Sequence, residues 1–181
     1  MSRILIAYST VDGFTHRICC ELEKFLFRAC RDTSTLLEIR DDDASFDPAS
    51  FDRIVVGASI RYGKYRPAVF DFIEANRLVL ERMPSAFFSV NVVARKRGKD
   101  TPATNPYIRL FERKTTWTPS EVAVFAGKLD YRRYRFWDRQ AIRFIMWLTN
   151  GPTARATCAE FTDWQEVERF AQRISAMELT D

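Results

Sequence analysis

The chain has 181 residues, of which 46% are hydrophobic, and this length and composition predict a single domain, residues 1–181, with one continuous core. No apolar run reaches the length that spans a membrane, and the opening "MSRILIAYST" does not resemble a signal peptide. The formal net charge is +4, and all of it can be assigned to one short segment, which predicts a local contact surface rather than a generally basic protein.

Five apolar runs predict the strands of a parallel sheet that is buried on both faces, at residues 3–8, 35–39, 53–59, 86–93 and 121–126. Helical patterns lie between them at residues 15–30, 67–80 and 106–114, the last opened by Asn105 and Pro106. A capping box at 162–165, with Thr162 as its cap, opens a final helix. The alternation of strands and helices predicts a doubly wound α/β sheet with helices on both faces.

The first predicted strand runs into a loop in which small and hydroxyl-bearing residues gather. Its hydroxyls can donate to an anion, Gly13 allows a left-handed backbone, and the following helix offers free N–H groups. Ligands of open α/β sheets bind beyond the carboxyl ends of the strands, which is where this loop lies. The pattern predicts a phosphate site, although a plain helix-capping turn would use the same residue types. The predicted phosphate loop comprises Ser9, Thr10, Val11, Asp12, Gly13, Phe14 and Thr15.

Two later strand ends carry loops that could complete the same site. In "ASIRYGKY" two tyrosines can flank a flat aromatic ligand, and Gly63 lets the backbone approach a ring edge. After the fourth strand, Asn91 and nearby main-chain groups could close over that ligand. The predicted ligand-binding residues are Ala58, Ser59, Ile60, Arg61, Tyr62, Gly63 and Tyr65 in the second loop, and Ser89, Val90, Asn91, Val92, Val93, Ala94 and Arg95 in the third.

A phosphate loop, an aromatic loop and a third loop in this order resemble the flavodoxin-like fold with bound FMN, whose five-stranded parallel sheet has the order 2-1-3-4-5. The segments "GASIRYGKY", "MPSAFFSVNVVARK", "TPATN", "YRRYRFWDR" and "FTDWQEV" resemble, in order and spacing, the family of bacterial menaquinone-dependent protoporphyrinogen IX dehydrogenases. The resemblance runs from the first strand to the last helix. It implies FMN as cofactor, protoporphyrinogen IX as substrate in haem biosynthesis, and menaquinone or ubiquinone as electron acceptor. It also implies a cytoplasmic protein that associates peripherally with the inner membrane.

A basic aromatic insertion, residues 128–157, separates "EVAVFAG" from the last helix and resembles the long insertion in the fifth strand of long-chain flavodoxins. Within it, residues 131–149 hold five arginines and one aspartate, 5 − 1 = +4, so the rest of the chain balances at 23 basic and 23 acidic residues. A helical reading at about 100° per residue places arginines and apolar residues on opposite sides. Such a segment can lie in a membrane interface, contact the substrate, or pack on the protein's own core.

The basic stretch "RKRGK", residues 95–99, can pair with the two propionates of the substrate or remain a solvated loop. The residues predicted to contact substrate or membrane are Lys96, Arg97, Lys99, Tyr131, Arg132, Arg135, Trp137, Arg139 and Arg143. Because His16 is the only histidine and the cysteines lack metal-ligand spacing, we predict no metal site and no Ser-His-Asp triad. Reactivity is therefore expected from the flavin, and no catalytic side chain is assigned.

Two rival functions use the same features. A flavodoxin-like electron carrier or an NAD(P)H:quinone reductase would also bind FMN, and fast reduction by a nicotinamide would identify the reductase. A nucleic-acid-binding module would use the arginines against phosphates, but no known nucleic-acid motif accompanies them, so no nucleic-acid partner is predicted. Association into a homo-oligomer is left open.

Overall fold

The computed structural model describes residues 1–40, 46–130 and 158–178. Five parallel strands form one sheet in the order β2-β1-β3-β4-β5, so the predicted fold and strand order are confirmed. The strands are β1 (Arg3–Ser9), β2 (Thr33–Glu38), β3 (Arg53–Ser59), β4 (Ser85–Asn91) and β5 (Glu121–Ala126). The three central strands are buried along nearly their whole length because both faces of the sheet are covered.

Helices cover both faces of the sheet. Helix α1 (Phe14–Phe25), extended by a π-helical turn at Leu26–Cys30, packs with the final helix, α5 (Trp164–Ala176), on one face. Helices α2 (Pro67–Ala75), α3 (Arg77–Arg82) and α4 (Pro106–Glu112) pack on the other. Each face has its own apolar core, and β1, β3 and β4 contribute alternate side chains to both.

Side-chain hydrogen bonds move several element boundaries away from the predicted positions. The predicted strand 86–93 ends at Asn91, whose Oδ1 accepts from the Ala94 N–H at 3.0 Å and starts a 3-10 turn. The predicted helix 67–80 breaks at Asn76, whose Nδ2 donates to the Phe72 carbonyl at 2.8 Å. The predicted cap of the final helix is also wrong: Asp163 caps it, while the Thr162 hydroxyl donates to the Ala126 carbonyl.

A two-stranded antiparallel ribbon follows β5: β6 (Lys128–Asp130) forms the first three residues of the predicted insertion, 128–157, and β7 (Cys158–Glu160) comes directly after it. The helical prediction for residues 131–149 therefore lies outside the described residues. Within the described ranges, no helix has the length and apolar composition needed to cross a membrane. The predicted contact residues that lie outside the description are Tyr131, Arg132, Arg135, Trp137, Arg139 and Arg143.

Candidate functional site

The three predicted loops lie at one edge of the sheet. The phosphate loop follows β1, the second loop follows the adjacent strand β3, and the third loop follows β4. The chain leaves β1 toward one face, through α1, and leaves β3 toward the other, through α2. This divergence of neighbouring strands is the switch point at which doubly wound sheets bind their ligands.

The phosphate loop is a preformed turn that leads into α1. Gly13 is the residue that precedes α1 and has a φ of 84°, which confirms the predicted left-handed backbone. The Gly13 N–H donates to Thr10 Oγ1 at 3.0 Å, and the Phe14 N–H donates to Asp12 Oδ1 at 3.1 Å. The loop's own side chains thus shape the turn, while the amides in the first helical turn have no acceptor within the helix.

Thr15 supplies the observation that distinguishes an anion site from a plain helix cap. The residue is fully buried, and its hydroxyl is the one buried side-chain polar atom among the described residues that has no hydrogen-bond partner. A buried hydroxyl without a partner costs about 1–3 kcal/mol. A phosphate oxygen would accept from it, so the donors of this loop fit a phosphate-bearing cofactor such as FMN.

Arg17, one turn into α1, connects the phosphate loop to the ribbon. Its Nη1 lies 2.6 Å from Glu160 Oε2 in β7, and its guanidinium stacks near the rings of Phe14 and Trp164. Trp164 Nε1 donates to the other Glu160 oxygen at 2.9 Å. This cluster is not predictable from the sequence, because Arg17 and Glu160 are 143 residues apart and neither lies in a recognisable motif.

The second loop is a two-residue hairpin turn with Tyr62 at its tip. Arg61 and Lys64 exchange both backbone hydrogen bonds, at 3.0 and 3.2 Å, and both Tyr62 and Gly63 have positive φ. Turns of this kind favour Asn or Gly, so a left-handed tyrosine is strained. The Tyr62 side chain is 60% exposed with the Arg61 guanidinium 5.0 Å from its ring. An exposed ring on a tight turn is well placed for contact with a flat ligand.

Tyr65 lies in the core, which corrects the prediction that both tyrosines flank a ligand. Its side chain is 4% exposed, with ring contacts to Phe70, Phe87 and Phe111. Its hydroxyl donates toward Ser89 Oγ at 2.9 Å, and burial raises the pKa of the phenol. The hairpin turns the chain inward after Lys64, so only Tyr62 remains a candidate for ring contact.

The third loop is held by Asn91 from beneath. The Asn91 side chain is buried and bonds to Ser89 Oγ, the Ala94 N–H and Asn105, so it supports the loop instead of covering its surface. The half-buried Val92, Val93 and Arg95 lie at the surface of the loop. The Ile60 N–H donates to the Val90 carbonyl at 2.9 Å, which ties the second loop to the third.

The basic residues of the third loop lie beyond β4, at the same edge. Arg97 and Lys99 are exposed, and Lys96 is half-buried. Asn105 was not predicted as a site residue, because its helix-capping role explained it completely at the level of sequence. In the structure its amide also holds this loop, donating to the Lys99 carbonyl at 2.7 Å.

Fold and site define a protein of the flavodoxin class. A family model described as a flavodoxin domain matches residues 5–156. Two solved structures resemble the chain with TM-scores of 0.56: oxidised flavodoxin 1 from Bacillus cereus, 12% identical over 98% of this chain and 100% of that one, and a WrbA-like flavodoxin from Agrobacterium tumefaciens, 11% identical over 97% and 96%. At these identities the likeness concerns the fold.

Curated relatives define the class more narrowly. The chain is 40% identical to the Escherichia coli (strain K12) protein "Protoporphyrinogen IX dehydrogenase [quinone]", over 99% of this chain and 97% of that protein. A Leishmania major protein of the same name is 40% identical over 98% of this chain and 76% of its own length. The chain belongs to the family of quinone-dependent protoporphyrinogen IX dehydrogenases, which are oxidoreductases with a flavodoxin domain.

Proposed function

We propose that this chain oxidises protoporphyrinogen IX to protoporphyrin IX with FMN as its cofactor and a membrane quinone, menaquinone or ubiquinone, as electron acceptor. One observation supports the choice of substrate: the chain is 40% identical, over nearly the whole of both chains, to a protein named for that reaction. The reaction removes six electrons and six protons from the porphyrinogen. Three rounds of two electrons each would convert three quinones into quinols.

The cofactor proposal rests on the phosphate loop. Hydroxyls of Ser9, Thr10 and Thr15 would hold the FMN phosphate. The strongest support for that placement is the buried Thr15 hydroxyl, which has no hydrogen-bond partner among the described residues. Tyr62 would contact the ring system, with the backbone of residues 58–63 and 89–95 at its edge. When bound, the flavin supplies the two-electron exchange that this chain's side chains lack.

The substrate proposal rests on charge. The porphyrinogen carries two propionates on a large apolar ring system, and Lys96, Arg97 and Lys99 lie at the strand edge that carries the cofactor loops. Carboxylates bind most strongly to Arg and Lys through charge-assisted hydrogen bonds. We assign these three residues to the propionates and the residues of the 131–149 segment to the membrane on the cytoplasmic face.

The test is an anaerobic titration of the purified flavoprotein with protoporphyrinogen IX. The substrate should bleach the absorption of the oxidised flavin, and a menaquinone analogue added afterwards should restore it while protoporphyrin fluorescence grows. Flavin that is bleached by dithionite but not by the porphyrinogen would contradict the proposal. Rapid bleaching by NADH or NADPH alone would favour a quinone reductase.

A further inference from the structure

Two buried asparagines form a hydrogen bond that joins the two ends of the third loop. Asn91 is the last residue of β4, Asn105 precedes α4, and their side chains are 2% and 0% exposed. Asn105 Nδ2 lies 3.3 Å from Asn91 Oδ1, so the two amides join the ends of the segment that separates β4 from α4.

The remaining atoms of both amides are also engaged. Asn91 Oδ1 accepts from the Ala94 N–H at 3.0 Å, and Asn91 Nδ2 donates to Ser89 Oγ at 3.2 Å. Asn105 Oδ1 accepts from the Tyr107 N–H at 3.0 Å and caps α4, while its Nδ2 donates to the Lys99 carbonyl at 2.7 Å. A fully satisfied buried polar network fixes the backbone it touches.

The segment held by this pair is the basic loop, residues 95–99. It contains four cationic side chains and no acidic one. The Lys99 N–H donates to the Lys96 carbonyl at 2.9 Å and Gly98 has a φ of 80°, which makes a tight turn. Like charges this close repel one another, so the turn needs anchors. Asp100 Oδ1 accepts from the Gly98 N–H at 3.0 Å, and the bond from Asn105 Nδ2 to the Lys99 carbonyl holds the end of the turn.

We propose that Asn91 and Asn105 are positioning residues, which hold the cations of the basic loop in register for the two carboxylates of an amphipathic tetrapyrrole. This inference rests on the proposed function, and it assigns the amide pair a role in substrate affinity rather than in electron transfer. Neither asparagine needs to touch the substrate.

The variant Asn105→Ser separates the two roles of the residue. Serine is a good helix cap, so α4 keeps its first hydrogen bond, but its short hydroxyl cannot reach the Lys99 carbonyl. Asn76→Ser is the matched control, because Asn76 also donates from its side-chain amide to a backbone carbonyl, that of Phe72, at the junction of α2 and α3 and outside the basic loop. Asn105→Thr is the second variant, since threonine is close to asparagine in volume, can cap the helix and lacks the amide donor without adding a charge.

Three measurements test the proposal on the FMN-loaded enzymes. Asn105→Ser should raise the KM for protoporphyrinogen IX about fivefold or more, because a misplaced charge-assisted contact loses most of its binding energy. The kcat with a saturating quinone should stay within about twofold, and the KM for the porphyrinogen dimethyl ester, which has no carboxylates, should not change. Trypsin should cleave within the basic loop several times faster than in the wild type or in Asn76→Ser.

The outcomes separate this proposal from the proposed function. A wild-type enzyme that porphyrinogen does not reduce contradicts the function, and trypsin cleavage still reports whether the amides hold the loop. Equal KM shifts for the diacid and the diester, or an unchanged KM in both Asn105 variants, overturn the positioning role. If Asn105→Ser does not fold, Asn105→Thr decides the same question.

Discussion

The buried hydroxyl of Thr15 has no hydrogen-bond partner among the described residues, which is the expected environment of a group that binds a ligand. The change Thr15→Val removes the hydroxyl and keeps the shape. It should raise the free energy of unfolding of the apoprotein by about 1 kcal/mol and weaken FMN binding about tenfold, since a hydrogen bond to a charged group is worth about 1.5–3 kcal/mol. Urea unfolding and quenching of FMN fluorescence measure the two effects.

Thr15→Ser serves as the control, because it keeps the hydroxyl and should retain most of the FMN affinity. The opposite signs of the two effects in Thr15→Val distinguish a ligand-binding hydroxyl from a structural one. An apoprotein that loses stability while FMN affinity is preserved would show that the phosphate lies elsewhere.

For single residues, the roles that depend on a residue's own backbone conformation were predictable from the sequence. The roles that depend on a contact formed only in the folded chain were not. The left-handed Gly13 follows from a short loop between a strand and a helix. Tyr62 and Tyr65 could not be told apart, because the turn that exposes one and buries the other depends on the pairing of Arg61 with Lys64. Asn105 also holds the basic loop, and this role depends on how the folded loop places the Lys99 carbonyl against the Asn105 amide.

The contact between β3 and β4 offers a test at the scale of secondary structure. Gly57 pairs with Phe88, and a methyl group built on Gly57 would overlap the Phe88 ring. Gly57→Ala should therefore lower the free energy of unfolding by about 1–3 kcal/mol. Gly127→Ala is the matched control: its added carbon would lie 3.4 Å from Val90 Cγ1, and we expect a change below about 1 kcal/mol in urea unfolding.

A double variant shows whether the Phe88 ring is the cause. Combining Gly57→Ala with Phe88→Leu should cost less than the sum of the single changes, because the smaller side chain gives the new methyl group room. Additive losses would mean that Gly57 is required for a reason other than contact with Phe88.

The five strands of the sheet were predictable because a parallel sheet covered on both faces needs continuous apolar runs. Their ends were less predictable. Asn91, Asn76 and Asp163 each end or begin an element through a side-chain hydrogen bond to a backbone atom two to four residues away. Several residues in each region could have made such a bond, and only tertiary packing selects one of them.

In the whole molecule, the phosphate loop and the base of the insertion are joined through one cluster. Arg17 in α1 pairs with Glu160 in β7, and Trp164 at the start of α5 bonds to the same carboxylate. A pairing over 143 residues has no signature in the sequence. Strand β7 is the return strand of the ribbon that brackets residues 131–157, so the helix that begins at the proposed phosphate loop also helps to fix where the insertion enters and leaves the domain.

The arginines of the insertion carry the last prediction, which concerns attachment to a membrane. Changing Arg132, Arg135, Arg139 and Arg143 to Glu takes the net charge from +4 to −4, because each change removes two charges. At about 1 kcal/mol per basic residue near an anionic surface, this should abolish cosedimentation with vesicles containing phosphatidylglycerol.

The control changes Arg28, Arg77, Arg82 and Arg113 to Glu and reaches the same net charge. Binding that survives in the control identifies the insertion as the membrane contact, whereas equal loss in both variants would mean that only net charge matters. Vesicle binding retained by the insertion variant would assign those arginines to the substrate or to the protein's own core.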